Sequence, residues 1–261
     1  MKNLKKYYPY IVIGLISLTL NLLFYFSGSY DFIESKFLDF KFKIRGPIYQ
    51  TEEKTRDVVI VEIDDQAFEL IDESYPFPRG RVYSKVIKNL TKAGAKVIVF
   101  DIMFDAPDHT TKIIKNHIGA DCLACSYTDE DEQFVQAINY ASINGTEIIL
   151  ASKIAKDINR IPPDYIVRPT EKIMDINPKI GLVNQGMNEF DYSNRKYSII
   201  GKVSSQPKKY YLSLAMQSIL SYKNISDIVI KQDFKQNIIN ISGFDIIPFN
   251  NEASILVNYY G

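Results

Sequence analysis

Four charged residues stand where they could build a site. Asp64 and Asp65 follow the run VVIVEI at residues 58–63, and Asp101 follows KVIVF at residues 96–100. Both runs are short and β-branched, which predicts buried strands of a parallel sheet. Ligands of open α/β sheets bind beyond the carboxyl ends of the strands, so the three aspartates fall at the expected edge. Arg79 follows Pro76, Phe77 and Pro78 and stands at the start of a predicted helix. A helix N-terminus draws anions, and a guanidinium adds a two-pronged donor. Asp64, Asp65, Arg79 and Asp101 together would suit a small zwitterion or a divalent cation. The same residues also allow a structural role, with Arg79 paired to Asp101 or Asp64 and Asp65 capping a turn. No phosphate-cradling glycine loop, G-x-S-x-G elbow or metal-type histidine pair is present, so the expectation is a non-enzyme without cofactor or metal.

Cys122 and Cys125 form the one Cys-x-x-Cys, with His109 and His117 upstream. Outside the cytoplasm two such thiols tend to oxidise, which predicts a Cys122–Cys125 disulfide stapling a loop. A metal or redox sensor built from His117 and both cysteines stays open, as do two free thiols. The pair follows no βα turn of the thioredoxin kind.

The elements that must position these residues begin with an anchor. Residues 10–26 carry no charge, and with their flanks they reach the roughly 20 residues needed to cross a bilayer. Tyrosines mark both ends, Lys2, Lys5 and Lys6 precede the run, and Asp31 and Glu34 follow it. The charge bias keeps the N-terminus in the cytoplasm and sends the rest out. The expected organisation is a tail at residues 1–9, a transmembrane helix at 10–30 and one exported domain at 31–261, in the cell (inner) membrane. A cleaved signal peptide is the alternative, and it exports the same residues.

Ile33, Phe37, Phe40 and Ile44 recur at helical spacing, which predicts a helix leaving the membrane and stopped by Gly46 and Pro47. Strands are expected at residues 58–63, 96–100 and 147–151, with helices at 81–93 and 131–141 between them. That alternation implies βαβ units and a partly parallel, mixed sheet with flanking helices. Further on, strands are expected at residues 180–184, 198–204, 228–230, 238–241 and 254–258, with a helix at 211–222. Lys+Arg and Asp+Glu stand at 31 each, so no global charge favours a nucleic-acid partner. The pairs Tyr210-Tyr211 and Tyr259-Tyr260 fit half-buried positions or an interface, and a homodimer is one such arrangement.

The order of these pieces resembles the CHASE2 family. The matching pieces are the Asp39-to-Gly46 segment, Ile63-Asp64-Asp65, the Pro76-Phe77-Pro78-Arg79 turn, and Phe100-Asp101 with Phe104. Gly181 with Asn184, Asp191 with Arg195, Ser213-Leu214-Ala215, and Ile247-Pro248 before residues 256–261 complete the set. Tyr75 stands where the family usually has Trp, and an insert of roughly 20 residues spans 108–128. The resemblance implies an extracytoplasmic sensor of a bacterial signalling protein, answering an unknown stimulus and relaying it through the membrane. Family members usually continue through further membrane helices into an adenylate cyclase or histidine kinase. On that pattern the 261 residues read as the N-terminal part of such a protein. A non-signalling envelope protein is the remaining alternative.

Overall fold

The computed structural model describes residues 2–46, 58–111, 113, 129–184, 194–233, 238–246 and 253–257. The chain divides into two compact units. The first comprises Met1–Ile60, Met187–Arg195 and Val257–Gly261, and the second Val61–Gly186 and Lys196–Leu256.

In the first unit α1 (Lys2–Phe26) and α2 (Ser29–Arg45) meet at a two-residue turn. Gly28 adopts φ +69, a left-handed conformation that costs glycine little. Across the turn the Tyr30 hydroxyl donates to Asn21 Oδ1 at 2.5 Å, and its ring packs edge-on against Phe24. Tyr7–Phe26 has a mean hydropathy of 1.8 and none of it is buried, so α1 is long and apolar enough to cross a membrane. Gly46 closes α2, its N–H returning to the Phe42 carbonyl at 3.0 Å. One face of α2 (Ser35, Leu38, Asp39, Phe42) is half-buried, while Ile33, Phe37, Phe40 and Ile44 on the opposite face are exposed.

The second unit is built on a four-stranded mixed sheet. β1 (Val97–Phe100) and β4 (Lys179–Leu182) both run parallel to β2 (Glu147–Lys156). β3 (Asp164–Val167) pairs antiparallel with the far half of β2, Lys153 opposite Val167. α3 (Asp65–Leu70) lies ahead of a single π-helical turn at Arg79–Tyr83, which leads into α4 (Ser84–Lys92). α5 (Glu130–Ile143) follows β1, and the short α6 (Glu171–Met174) follows β3. Ile87 of α4, Phe134, Ala137 and Ile138 of α5, and Phe100 and Leu150 of the sheet form one buried core. Phe104 sits within it, 4.8 Å from the Phe134 ring centre. Burying each such aromatic contributes about 2–3 kcal/mol.

A second core gathers on α7 (Leu214–Tyr222). Met216 and Leu220 meet Ile239 and Ile241 of the antiparallel strands β8 (Ile230–Asp233), β9 (Ile238–Ile241) and β10 (Phe244–Ile246). β5 (Lys196–Ser198) pairs with β11 (Ser254–Leu256), and β6 (Ile200–Gly201) with β7 (Tyr211–Leu212). Gly181 lets β4 touch α7, because a Cβ there would stand 2.5 Å from the Leu214 Cα.

Three sequence expectations need correction. Residues 58–63 form no strand, and Val58, Val59 and Ile60 are 77–84 % exposed. The run straddles the division between the units at Ile60, and among the described residues β1 pairs with β2 alone. A β-branched run becomes a strand only where a ladder neighbour exists. The helix expected from residue 211 starts at Leu214, where Ser213 accepts the Met216 N–H, while Tyr211 and Leu212 pair with β6. The strand expected at 198–204 is split at Ile199, whose N–H goes to the Ala253 carbonyl and whose own carbonyl accepts from Ser213. Cys122, Cys125 and His117 lie outside the described residues, whereas His109 is exposed.

The ion pair of Glu147 with Lys179, 2.6 Å long, joins the first residues of β2 and β4. Burial pushes the Glu147 carboxyl up, but hydrogen bonds from Lys179 and Ser221 and the Lys179 charge outweigh it and hold the group below its ordinary value. A depressed carboxyl stabilises the fold above its unfolded pKa and ceases to do so as pH falls through the folded one. Thermal melts should therefore place Glu147→Gln below the parent, by under about 1 kcal/mol, at pH above about 5. The gap should close below about pH 4. A gap that widens on acidification would refute this account.

Candidate functional site

Arg79 is fixed by what precedes it. Phe77 and Pro78 are fully buried, and Pro78 leaves the chain at φ −59, ψ 130 before the π turn begins. The turn closes when the Ser84 N–H reaches the Arg79 carbonyl. This geometry drives the guanidinium into the protein, where Arg79 is 7 % exposed.

A buried guanidinium must have its donors satisfied. Nη1 donates to Asp131 Oδ1, Nη2 to the Ala106 carbonyl at 2.6 Å, and the plane lies 4.9 Å from the Phe104 ring centre. The Arg79 backbone N–H goes to Asp108 Oδ2 at 3.0 Å. Asp108 Oδ1 accepts from the Thr110 and Thr111 N–H groups, and the Asp108 N–H donates to Asp131 Oδ2. Alongside, Glu130 accepts from the Arg81 backbone N–H and Nε at 2.9 and 2.8 Å. Gly80 admits this approach, since a Cβ there would lie 2.7 Å from the Gln133 Cβ. Burial, with the Asp108 charge, pushes the phenol of neighbouring Tyr83 up against the opposing pull of Arg79, so it stays protonated near neutrality.

The sequence-derived set does not converge. Asp64 caps α3, accepting from the Ala67 N–H at 2.9 Å, and Asp65 is the exposed first residue of that helix. Asp101 is exposed beyond β1. No hydrogen bond or ion pair among the described residues joins Arg79 to Asp64, Asp65 or Asp101. The partner expected at Asp101 or Asp64 is instead Asp131, because the buried turn faces the start of α5 rather than the sheet edge. No grouping of histidine, cysteine and carboxylate side chains among the described residues could hold a metal ion. Every carboxylate oxygen named around Arg79 accepts from a protein N–H, so the arrangement acts as a clamp between the turn and α5.

Two further features carry chemistry. In the first unit Arg195 is 8 % exposed and grips Asp39 of α2 with two bonds, Nε to Oδ1 at 2.8 Å and Nη2 to Oδ2 at 2.6 Å. In the second unit a cavity of about 320 Å³ is lined by Tyr165, Ile166, Arg168, Val203, Ser205, Gln206 and Tyr211. The Tyr211 hydroxyl donates to Gln206 Oε1 at 2.8 Å and receives a long 3.4 Å bond from Arg168 Nη2. Arg168 has no carboxylate partner among the described residues. Asp164, at the start of β3, is held below its ordinary pKa by hydrogen bonds from the Ser204 side chain and backbone.

A family model, the CHASE2 domain, matches residues 13–261. The chain belongs to the CHASE2 family. CHASE2 is an extracytoplasmic sensor domain family, without catalytic activity of its own. The match begins inside α1 and covers both units, so the Arg79 clamp, the Arg195–Asp39 pair and the cavity all lie in CHASE2 sequence. No curated protein and no solved structure matches the chain.

Sequence reasoning placed Arg79 correctly at a helix start but missed Asp108, Glu130 and Asp131. Residues 129–132 read Asp-Glu-Asp-Glu, more acid than a helix N-terminus needs, and that excess beside the closely spaced Arg79 and Arg81 was the available signal. Removing one member of a buried pair typically costs about 3–5 kcal/mol. Arg79→Ala should lower the melting temperature by on the order of 10 °C. Asp131→Asn in the same background should recover part of the loss, and Asp101→Asn none. Recovery with Asp101→Asn, or a melting point unchanged by Arg79→Ala, would contradict the clamp.

Proposed function

We propose that the chain is a membrane-anchored sensor that reads a small anionic ligand outside the cytoplasm and relays its presence through α1. The observation that carries this reading is the Arg195–Asp39 pair, because it ties the helix following the apolar span to the residue that enters β5. From Arg195 the chain runs through β5 and β6 to Val203, Ser205 and Gln206 in the cavity wall. A ligand that orders those wall residues therefore acts through a short stretch of chain on Arg195, and from there through its ion pair on Asp39 of α2. Arg168 supplies the charge for a ligand carboxylate or phosphate, and the Tyr211 hydroxyl and Gln206 carboxamide supply neutral partners. The relay is a population shift, driven only by the difference in ligand affinity between two conformations.

The anchor half rests on the apolar Tyr7–Phe26 span and on the lysines preceding it. A partner of the nucleotide-cyclase or histidine-kinase class would receive the signal on the cytoplasmic side. A reporter fused after Arg56 is expected to be active only when it works outside the cytoplasm. Activity of a cytoplasm-only reporter there would end the sensor topology.

Succinate and inorganic phosphate are suitable probes for the ligand half. A ligand at a hundred times its Kd adds about 2.7 kcal/mol of stability, so one of the probes should raise the melting temperature of the purified chain. Arg168→Gln should abolish the rise without lowering the ligand-free melting point. Asp39→Asn should keep the rise, because binding lies upstream of the relay. No rise with either probe, or a rise indifferent to Arg168→Gln, would remove the cavity from the proposal.

A further inference from the structure

α2 presents two opposite faces, and only one of them is accounted for. At 3.6 residues per turn, Ser35, Leu38, Asp39 and Phe42 share one side. All four are half-buried, and Asp39 on that side receives Arg195. Ile33, Phe37, Phe40 and Ile44 centre on the side directly opposite and are 55–69 % exposed. Four large apolar side chains in one stripe exceed the scattered exposure normal for a soluble surface.

The charges beside the stripe are informative. By helical position Lys36 and Lys43 flank it on one side, and Lys41 and Arg45 on the other, with Glu34 sharing the second flank. The Lys36 ammonium lies 5.7 Å from the Phe32 ring centre and 3.8 Å from Asp39 Oδ2, and the Lys41 ammonium 4.8 Å from the centre of the Phe37 ring, which belongs to the stripe. A row of cations bordering an apolar helix stripe is the arrangement of a helix lying in a membrane interface. A second copy of α2 docked in parallel on the same stripe would bring Lys36 against Lys41, a like-charge contact that is destabilising. Continuity points the same way, since only Ser27 and Gly28 separate α2 from the apolar helix α1.

We infer that the Ile33–Phe37–Phe40–Ile44 face of α2 lies in the membrane surface where α1 emerges, with Lys36, Lys41, Lys43 and Arg45 among anionic lipid headgroups. The inference goes beyond the sensor reading and rests on its membrane anchor. α2 is thus held from both sides, by lipid on its outer face and by Arg195 on its inner one. A change that loosens either hold frees the helix from one of two competing partners.

The chain has no tryptophan, so a single introduced indole reports on one place. The full chain carrying Phe40→Trp would be reconstituted in phosphatidylcholine vesicles containing phosphatidylglycerol. Fluorescence would then be quenched by lipids brominated near the headgroup, by lipids brominated deep in the chain, or by aqueous acrylamide. Leu18→Trp in a separate sample reports on α1. Shallow-lipid quenching is expected at position 40 and deep-lipid quenching at position 18. Each near-surface cation is worth roughly a fivefold factor in surface affinity, so adding Lys36→Gln, Lys41→Gln and Lys43→Gln should weaken the shallow quenching. Acrylamide quenching alone at position 40, with lipid quenching intact at 18, would overturn the inference and leave the anchor standing. Protection from both quenchers, with Phe40→Cys crosslinking to a second copy, would assign the face to a dimer instead. Equal shallow quenching after the lysine changes would overturn the headgroup contact. Absence of lipid quenching at position 18 would overturn anchor and inference together.

Discussion

The second unit depends on one buried cation. Arg79 lies over the Phe104 ring with its side-chain bonds going to Asp131 and the Ala106 carbonyl, and its backbone N–H to Asp108. A charge in that position is tolerable only while all three partners hold their places. The requirement fixes the π turn, the segment from Ala106 to Asp108 and the first turn of α5 relative to one another. Those are the pieces that close over Phe77, Phe100, Phe104 and Phe134. A hydrophobic core alone would accept many packings of these rings, whereas the guanidinium accepts one.

The first unit repeats the device at its edge. Arg195 holds Asp39 across 156 residues of sequence, and the Arg195 carbonyl takes the Val257 N–H at 2.9 Å. Three separate stretches of chain therefore meet at one residue. Asp39 is more exposed than Asp131, with 42 % of its side chain open against 6 %, so this second pair is the easier to exchange. The two arginines thus make a closed clamp and an accessible one.

Much of this was legible in the sequence, and what was not has physical reasons. The periodicity of Ile33, Phe37, Phe40 and Ile44 gave α2, and the β-branched run at 96–100 and the apolar run at 147–151 gave β1 and the first half of β2. Helices were expected at residues 81–93 and 131–141, where α4 and α5 lie, and the structure places Gly94 and Gly145 after them at positive φ. Residues 58–63 misled because local composition carries strand propensity but says nothing of whether a neighbouring strand is in reach. β3 escaped because its four residues are all half-buried, with no alternation to read. In the site, Arg79 was visible through its prolines. Its partners were not, since the Ala106 acceptor is a backbone carbonyl and acids at a helix start are ordinarily solvated.

The contact at Gly181 has a mechanical consequence. Side chains that interdigitate can slide, because each has other rotamers and neighbours to exchange. Here the main chain of β4 rests on the main chain of α7, with no side chain on β4 to act as a cushion. The Ser152 hydroxyl, donating to the Gly181 carbonyl at 3.1 Å, pins the strand from its other neighbour. Strand and helix thereby form a bracket whose spacing is set by van der Waals radii. A displacement that changed this spacing would have to press main chain against main chain, where no rotamer can yield.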